Sequence, residues 1–379
     1  MDELIFWFET PPKVSKGAFN FVANNWGNKV LFICNEDYPE YRKAANWDDG
    51  DYGKAELLFL SGQDDERAYI KHIFDIYPDA VHVISGFCNT VQFKIRPFLF
   101  RSGIKAVAFS EMPDKMGGMV ESLIRELYFL IKYKRIHRLF SPYIKAFFPM
   151  GAKGMDVFAR YNWDRDKMFP FMYCPVNHFN IEKVHERKLH TQLKFLYVGR
   201  FYFKTKGVDV LMKACDNLKG DWQLDMVGGY GKDKVEVENW IETHPKVNYL
   251  GKWDSTEVAN RMSGYDVVVV PSRYDGWNLL SNESIYAGVG AIVTDKAVSD
   301  EIIREGNTGI IVKAGSHKEL AQAMQYAIDN RNIVEEWKLN TANFYANISP
   351  ETVGHYFIDV LKYTFYNSEI KPRCPWLKQ

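Results

Sequence analysis

The sequence lacks an excess of charge of either sign, and it has few cysteines. Its 379 residues include 48 Lys and Arg and 48 Asp and Glu, so the formal net charge is zero. Without a global basic field, a dedicated DNA- or RNA-binding protein is not expected. The cysteines are odd in number and scattered, which predicts neither a disulfide framework nor a zinc site. They are Cys34, Cys88, Cys174, Cys215 and Cys374.

Long apolar runs are also missing from the sequence. None approaches the roughly 20 residues that a helix needs to span a bilayer. The start, Met1 to Phe8, has neither the basic region nor the small-residue cleavage site of a signal peptide. We therefore expect a reducing, cytoplasmic setting.

What the sequence does contain is a regular alternation of short apolar runs and helix-like stretches. This pattern is typical of parallel sheets that carry helices on both faces. In the first half the predicted strands are Leu4–Phe8, Lys29–Cys34, Glu56–Leu60, Ala80–Ser85 and Ile104–Phe109, with a closing strand at Phe169–Pro175. In the second half they are Leu193–Val198, Trp222–Val227, Val247–Leu250, Asp266–Val270, Ala291–Thr294 and Gly309–Val312.

The length predicts two domains, at roughly 100–200 residues per domain. The pattern restarts after the polar segment Asn177–Gln192, which suits a linker. We expect residues 1–180 to form one Rossmann-like domain and residues 190–350 a second. Residues 351–379 contain apolar positions at helical spacing, and we expect a tail helix that packs back on the N-terminal domain.

The first candidate site follows the strand that begins the second half. Gly199-Arg200 comes at its end, and Lys206-Gly207 precedes a helix-like stretch. A helix N-terminus supplies backbone N–H groups and a positive dipole end. Arg adds a bidentate fork and Lys a point charge, and a diphosphate suits both. A solvated basic loop is the alternative explanation.

The second candidate site is a pair of carboxylates, Asp275 and Glu283. Asp275 lies in a loop after a strongly β-branched strand, and Glu283 falls within the helix predicted at Leu279–Ala287. Carboxylates accept hydrogen bonds from sugar hydroxyls, and Gly276 permits close backbone approach. Two ordinary surface carboxylates would show the same spacing. Gly228-Gly229 after another strand is a weaker indication of phosphate or ribose binding.

Taken in chain order, these segments resemble the family 4 glycosyltransferases of the GT-B fold over about 120 residues. The resemblance implies an α/β fold of two Rossmann-like domains that face a central cleft. The E-x7-E motif of the family corresponds to Asp275 and Glu283 in this sequence. The resembling segments are Val198-Gly199-Arg200, Lys206-Gly207-Val208-Asp209 with Leu211, Val227-Gly228-Gly229, Gly251-Lys252 to Asp266, Pro271-Ser272, Ala287-Gly288, and Asp300-Glu301 to Gly306 and Gly309.

The resemblance also implies residue roles. Arg200 and Lys206 would neutralise the donor diphosphate, Glu283 would bind the ribose hydroxyls, and Asp275 would contact the donor sugar. Asp275 is one methylene shorter than the family's Glu, so its carboxylate reaches less far toward the sugar. The other donor-binding positions are then Gly199, Gly228, Gly229, Lys252, Gly276, Trp277 and Asn278, with the backbone amides of Leu279 and Leu280.

The N-terminal half resembles the family less closely. The family's first loop often holds two glycines, and here Gly17 alone would approach the donor phosphate or the acceptor. Many members carry a His after the fifth strand, where this chain has Ser110-Glu111. Glu111 would orient the donor sugar or accept from the acceptor hydroxyl, and capping of the next segment is the alternative.

The activity implied by the resemblance is a retaining hexosyl transfer that needs neither a cofactor nor a metal. The donor would be a UDP or GDP sugar bound by the C-terminal domain. The acceptor, a glycan or a lipid-linked molecule of surface polysaccharide synthesis, would bind the N-terminal domain. The acidic run Asp48-Asp49-Gly50-Asp51 lies away from the predicted strand ends. Two alternative functions stay open: another GT-B enzyme such as an epimerase, and a non-catalytic nucleotide-sugar-binding subunit.

One further stretch, Met119–Phe148, combines apolar residues with Lys and Arg. Such a basic amphipathic face indicates peripheral contact with the inner face of an anionic membrane, near a lipid-linked acceptor. An ordinary helix followed by a strand at Ile136–Phe140 explains the same residues, and we prefer that interpretation because such stretches are common in α/β domains.

Overall fold

A computed structural model describes residues 1–40, 50–113, 119–176 and 188–378, with only the backbone at 119–122. The chain divides into two compact units. Unit 1 comprises Met1–Val176 and Pro350–Pro375, and unit 2 comprises Asn177–Ser349 and Trp376–Gln379. Most of the predicted linker, and the acidic residues Asp48 and Asp49, lie outside the described residues.

Unit 1 contains a six-stranded sheet in which every paired strand is parallel. The strand order is β3-β2-β1-β4-β5-β6. Because β1 and β4 are neighbours at the centre, successive connections run outward in opposite directions from this point. The strands are β1 Leu4–Phe8, β2 Val30–Cys34, β3 Glu56–Phe59, β4 Val81–Ser85, β5 Lys105–Ser110 and β6 Ile144–Pro149.

Helices connect these strands, and two of them have side-chain caps. The Asp65 carboxylate accepts from the Ala68 amide at the start of α2, and Asn89 accepts from the Gln92 amide at the start of α3. Such caps satisfy amide groups that have no partner inside the helix. The helices are α1 Lys16–Asn25, α2 Glu66–Ile76, α3 Thr90–Leu99, α4 Met119–Phe140 and α5 Gly151–Ala159.

The core of unit 1 encloses a histidine, His82, on β4. Its Nδ1 accepts a hydrogen bond from Trp7 Nε1 at 3.0 Å, and its ring stacks on Phe74. The side chain is fully buried, and desolvation lowers its pKa to about 3. The folded protein therefore holds this imidazole neutral at pH values where the unfolded chain protonates it.

Acid is expected to weaken unit 1 through His82. Between pH 6.5 and about 3 the unfolded state binds one more proton, so stability falls by up to about 1.4 kcal/mol per pH unit in that window. His82→Asn keeps an acceptor near Trp7 and should flatten the dependence of the unfolding midpoint on pH. The exposed His72 provides the control, and equal slopes for His82→Asn and His72→Asn would contradict this assignment.

Unit 2 repeats the topology of unit 1. Its parallel strands run in the order β12-β11-β10-β7-β8-β9, so the first and fourth strands of the unit, β7 and β10, are central neighbours. Ligands of open α/β sheets bind beyond the carboxyl ends of the strands at such a switch point. The strands are β7 Leu193–Gly199, β8 Trp222–Gly228, β9 Val247–Tyr249, β10 Val267–Val270, β11 Gly290–Thr294 and β12 Gly309–Val312.

Three helices of unit 2 flank this switch point. The single-turn helix α6 and the helix α7 follow β7, and α10 follows β10. Gly207 separates α6 from α7 in a left-handed conformation. The helices are α6 Phe203–Lys206, α7 Val208–Cys215, α8 Lys234–Glu242, α9 Val258–Met262, α10 Leu279–Tyr286, α11 Asp300–Gly306, α12 His317–Asp329 and α13 Arg331–Ile348.

The chain then returns to unit 1 through helix α14, Pro350–Phe365. Phe357 stacks on Phe148 of β6, with 4.7 Å between the ring centroids, and also contacts the ring of Phe6. Gly354 lets the helix approach Phe21, since an added Cβ would lie 2.6 Å from that ring. After α14 the chain rejoins unit 2, where the buried Trp376 donates to the Glu301 carboxylate.

Two sequence-based expectations about local structure are wrong, and one helix is missing from the predicted elements. The predicted strand Ile136–Phe140 is the end of α4, because Ile136 and Phe140 are buried at helical spacing and the strand of this region is β6. The closing strand at Phe169–Pro175 is reduced to an isolated bridge between Phe171 and Met150. Helix α13 was not predicted. In the described part of the chain, no helix has the length and apolar character needed to span a bilayer.

Candidate functional site

The candidate site lies at the carboxyl edge of the unit 2 sheet, where the loops after β7 and β10 meet. Gly207 makes the approach possible because it has no side chain. Its φ is 63°, and a Cβ added at this position would lie only 2.1 Å from the Pro271 carbonyl oxygen. The Arg273 amide donates to the Thr205 carbonyl at 2.8 Å. The turn between α6 and α7 is therefore fixed against the segment that follows β10.

This arrangement brings Lys206 and Asp275 together. Lys206 Nζ lies 2.6 Å from Asp275 Oδ1, and both side chains are partly buried. The other oxygen of Asp275 accepts from Asn278 Nδ2 at 2.8 Å, and Asn278 Oδ1 caps α10 by accepting from the Leu280 amide. A continuous chain of contacts thus joins the cation to the first turn of α10.

A second ion pair, which the sequence analysis missed, braces the same loops. Arg273 binds Asp209 with two contacts, 2.5 Å from Nη1 and 2.7 Å from Nη2, and Nη1 also donates to the Phe203 carbonyl. The bond to Asp209 raises the pKa of Arg273. Parallel contacts of this kind fix orientation as well as charge. The two residues are 64 positions apart, and no local pattern links them.

The predicted glycines lie where strand ends approach most closely. Gly228, with φ of 136°, would direct a Cβ to 1.9 Å from the Gly199 carbonyl oxygen. Gly229, with φ of 102°, would direct one to 1.8 Å from the Tyr249 hydroxyl. The packing of β7, β8 and β9 therefore requires glycine at these positions. Contact of these glycines with a donor stays a prediction.

The remaining predicted residues have varied surroundings. Glu283 is the fifth residue of α10 and is partly exposed, as are Gly276, Leu279 and Leu280. Arg200 is exposed at the end of β7, and Lys252 is exposed with its ammonium 5.5 Å from the ring centroid of Tyr230.

Trp277 differs from these positions because its ring is buried. Its indole N–H donates to Asn282 at 2.8 Å, so the side chain supports the loop from inside the unit. Among the residues described, no group of three or more His, Cys, Asp or Glu side chains could hold a metal ion. Metal independence stays a prediction.

Unit 1 has pockets of its own at the carboxyl ends of β1, β4 and β5. The larger, about 410 Å³, is lined by Glu111 and Tyr173 together with Phe129 and Tyr133 of α4. The Tyr173 hydroxyl donates to Glu111 Oε1 at 2.6 Å. A smaller pocket of about 240 Å³ shares both Glu111 and Tyr173. Glu111 thus lies in a pocket of mixed lining, beside aromatic rings and other polar groups such as Asn89 and Ser110.

Gly17 does not line either of these two pockets, although Ser15 and Phe19 on either side of it line the smaller one. Its amide donates to the Cys174 carbonyl at 3.0 Å, and an added Cβ would lie 2.4 Å from the Pro175 carbonyl oxygen. Close packing of α1 on the end of unit 1 therefore accounts for this glycine. A phosphate or acceptor contact at Gly17 stays a prediction.

Residues 179–344 match the family model described as "Glycosyl transferases group 1". The chain is also similar to many solved structures. One of them is HepE of Anabaena in complex with UDP, which it matches at a TM-score of 0.71, with 96% of this chain and 100% of that chain covered. The chain has the GT-B fold. At 13% identity, the likeness to HepE shows the fold alone.

Curated relatives match the chain over shorter stretches than the HepE structure does. The uncharacterized glycosyltransferase MJ1069 of Methanocaldococcus jannaschii is 26% identical over 205 residues, which cover 51% of this chain and 52% of that protein. An uncharacterized 41.2 kDa protein in the cps region of Klebsiella pneumoniae is 30% identical over 151 residues, which cover 38% of this chain and 39% of that protein. The chain therefore spans about half the length of these relatives, or less.

The family match covers one part of the GT-B chain and leaves another out. Lys206, Asp275 and Glu283 all lie within residues 179–344, in unit 2. Glu111 and Gly17 lie outside that match, in unit 1. The residues that match the group 1 family model thus include the switch point of the unit 2 sheet.

Proposed function

We propose that the protein is a retaining glycosyltransferase that moves a hexose from a UDP or GDP sugar to a glycan or lipid-linked acceptor. Unit 2 would bind the donor and unit 1 the acceptor, without a metal. The group 1 match and the UDP complex of the similar HepE structure support a nucleotide-sugar donor. A relative in a cps region is consistent with surface polysaccharide synthesis.

One observation carries the proposal: the chain of contacts from Lys206 through Asp275 and Asn278 to α10. It lies at the switch point of the sheet, where the amide-rich start of a helix and a cation converge. A diphosphate is the ligand that these groups suit, because the helix start and Lys206 both favour negative charge. Arg200 adds a second cation at the end of β7.

Bond cleavage in the donor develops negative charge on the leaving diphosphate and positive charge on the sugar. Lys206 and Arg200 would stabilise the leaving group more strongly than the intact donor, which lowers the barrier. Asp275 holds Lys206 in place and would accept a hydrogen bond from a hydroxyl of the donor sugar. Glu283 would accept from the ribose hydroxyls, and Glu111 would position the acceptor hydroxyl.

Nucleotide binding is the first test of the proposal. A panel of UDP, GDP, ADP and CMP should include one diphosphate, UDP or GDP, that raises the unfolding midpoint of the intact protein. At 100 times the dissociation constant the gain is about 2.7 kcal/mol, or roughly 5–10 °C for a unit of this size. The matching nucleoside without phosphates should give a much smaller shift.

The outcomes separate the enzyme from its alternatives. Release of free sugar from the hexose derivative of the nucleotide that binds, or its transfer, supports the enzyme, and the anomeric configuration of the product tests retention. Binding without any turnover would favour a non-catalytic nucleotide-sugar-binding subunit. No shift with any member of the panel would contradict the donor site in unit 2.

A further inference from the structure

Helix α4 of unit 1 exposes an unusual set of large apolar side chains to solvent. Surface positions on helices of this kind are normally polar, and apolar groups exposed together mark interaction sites. The exposed fractions are 64% for Leu123, 65% for Ile124, 60% for Leu127, 57% for Tyr128 and 47% for Ile131.

The exposed residues form one continuous face. Ile124, Leu127, Tyr128 and Ile131 follow the i, i+3, i+4, i+7 spacing that places side chains on one side of a helix. The same spacing continues from Ile131 to three exposed cations. We call this the outer face of α4: the five apolar residues above and then Lys134, Arg135 and Arg138.

The opposite side of α4 packs into unit 1. Phe129 and Tyr133 lie against the core cluster, and Ile136 and Phe140 are buried in it. Phe129 and Tyr133 also line the 410 Å³ pocket that contains Glu111. A single helix therefore has one side on the pocket proposed for the acceptor and the other side in solvent.

We infer that the outer face of α4 docks unit 1 on an anionic lipid bilayer, and that the acceptor is lipid-linked. The docking stands by itself, and the statement about the acceptor rests on the proposed function. The apolar half of the face enters the acyl boundary, and the three cations meet the anionic headgroups. A lipid-linked acceptor at that surface would lie beside the helix whose other side lines the pocket.

Charge on α4 favours a bilayer over a second protein surface. Residues 123–140 contain five Lys and Arg but a single acidic residue, Glu126, although the whole chain is neutral. The positive residues are concentrated at one end of an apolar strip, which is the pattern of a helix at an anionic interface. Tyr128 adds an amphipathic ring of the kind that is enriched at headgroup depth.

The experiment is co-sedimentation of the full chain with vesicles of phosphatidylglycerol and phosphatidylcholine, and with phosphatidylcholine alone. The protein should bind the anionic vesicles, and salt should weaken the binding. Replacing Lys134, Arg135 and Arg138 with Gln should lower the affinity roughly 100-fold, at about fivefold per cation. Ile124→Gln with Leu127→Gln should lower it at least about tenfold.

Matched controls keep folding and docking apart. Ile370, 80% exposed in unit 1, provides an apolar substitution away from α4, and Ile370→Gln should bind vesicles as the unchanged protein does. All variants should keep their unfolding midpoints, because the replaced side chains are exposed. Equal vesicle binding by the α4 variants and the unchanged protein would overturn the inference.

Two further outcomes would also count against docking on a bilayer. No binding to anionic vesicles is one, and a dimer that dissociates on Leu127→Gln is the other, because the outer face would then join two copies of the chain. Nucleotide-induced stabilisation is measured without vesicles. Its loss with vesicle binding intact would contradict the proposed function alone, and the reverse result would contradict the docking alone.

Discussion

Replacing Lys206 with alanine is expected to lower the turnover number about 100- to 1000-fold, the usual effect of removing one group that stabilises a developing anion. Lys206 lies 2.6 Å from Asp275, and that contact holds it at the start of the proposed donor site. The free energy of unfolding should fall by about 1–3 kcal/mol, because Asp275 keeps its contact with Asn278 but loses the cation that offsets its burial. Steady-state turnover of the donor and thermal unfolding measure the two effects.

Lys204 supplies the matched control for this prediction. It lies on the same short helix and is exposed, away from the contact with Asp275. Lys204→Ala should keep the turnover number within about twofold of the unchanged protein, since its side chain is exposed and has no part in the proposed stabilisation of the leaving group. Turnover near the original value for Lys206→Ala, or equal losses for both variants, would remove Lys206 from the proposed mechanism.

The second large effect is expected at Gly228. An alanine there must adopt φ near 136° and would place its Cβ 1.9 Å from the Gly199 carbonyl oxygen, so the ends of β7 and β8 must separate. Backbone strain and overpacking together should cost about 3 kcal/mol. The unfolding midpoint of unit 2 should fall by roughly 6–12 °C, and nucleotide-induced stabilisation should be lost with it.

Gly251 distinguishes crowding from backbone conformation alone. Its φ is also positive, at 70°, but no atom lies within 4 Å of an added Cβ. Its carbonyl accepts from the Gly228 amide, so the two glycines belong to the same edge of the sheet. Gly251→Ala should cost about 1 kcal/mol. A loss for Gly228→Ala no larger than this would show that β7 and β8 do not require the close approach.

Much of the fold could be predicted from the sequence because buried parallel strands appear as apolar runs that end in Gly, Ser or polar residues. The run of four valines in β10, followed by Pro271-Ser272, is an example. The end of α4 and the strand β6 could not be separated in this way. Ile136 and Phe140 suit a strand by composition, and only their burial with Phe129 and Tyr133 favours a helix.

The candidate site was predictable residue by residue, but its contacts were not. Lys206 and Asp275 each follow a strand, and their types indicate a role at a strand end. That they touch depends on β7 and β10 being neighbours and on Gly207 admitting the Pro271 carbonyl. The Arg273–Asp209 pair depends on the same three-dimensional approach, so it carries no trace in the sequence.

The return of α14 to unit 1 has a consequence for biosynthesis. Phe357 fills the space between Phe6 and Phe148, yet it is translated after nearly all of unit 2. At roughly 5–20 residues per second, the ribosome needs about 10–35 s to pass from Val176 to Pro350. During that interval the nascent first sheet exposes the aromatic surface that α14 later covers. Chaperones that shield aromatic surface on nascent chains are therefore expected to act on unit 1 rather than on unit 2.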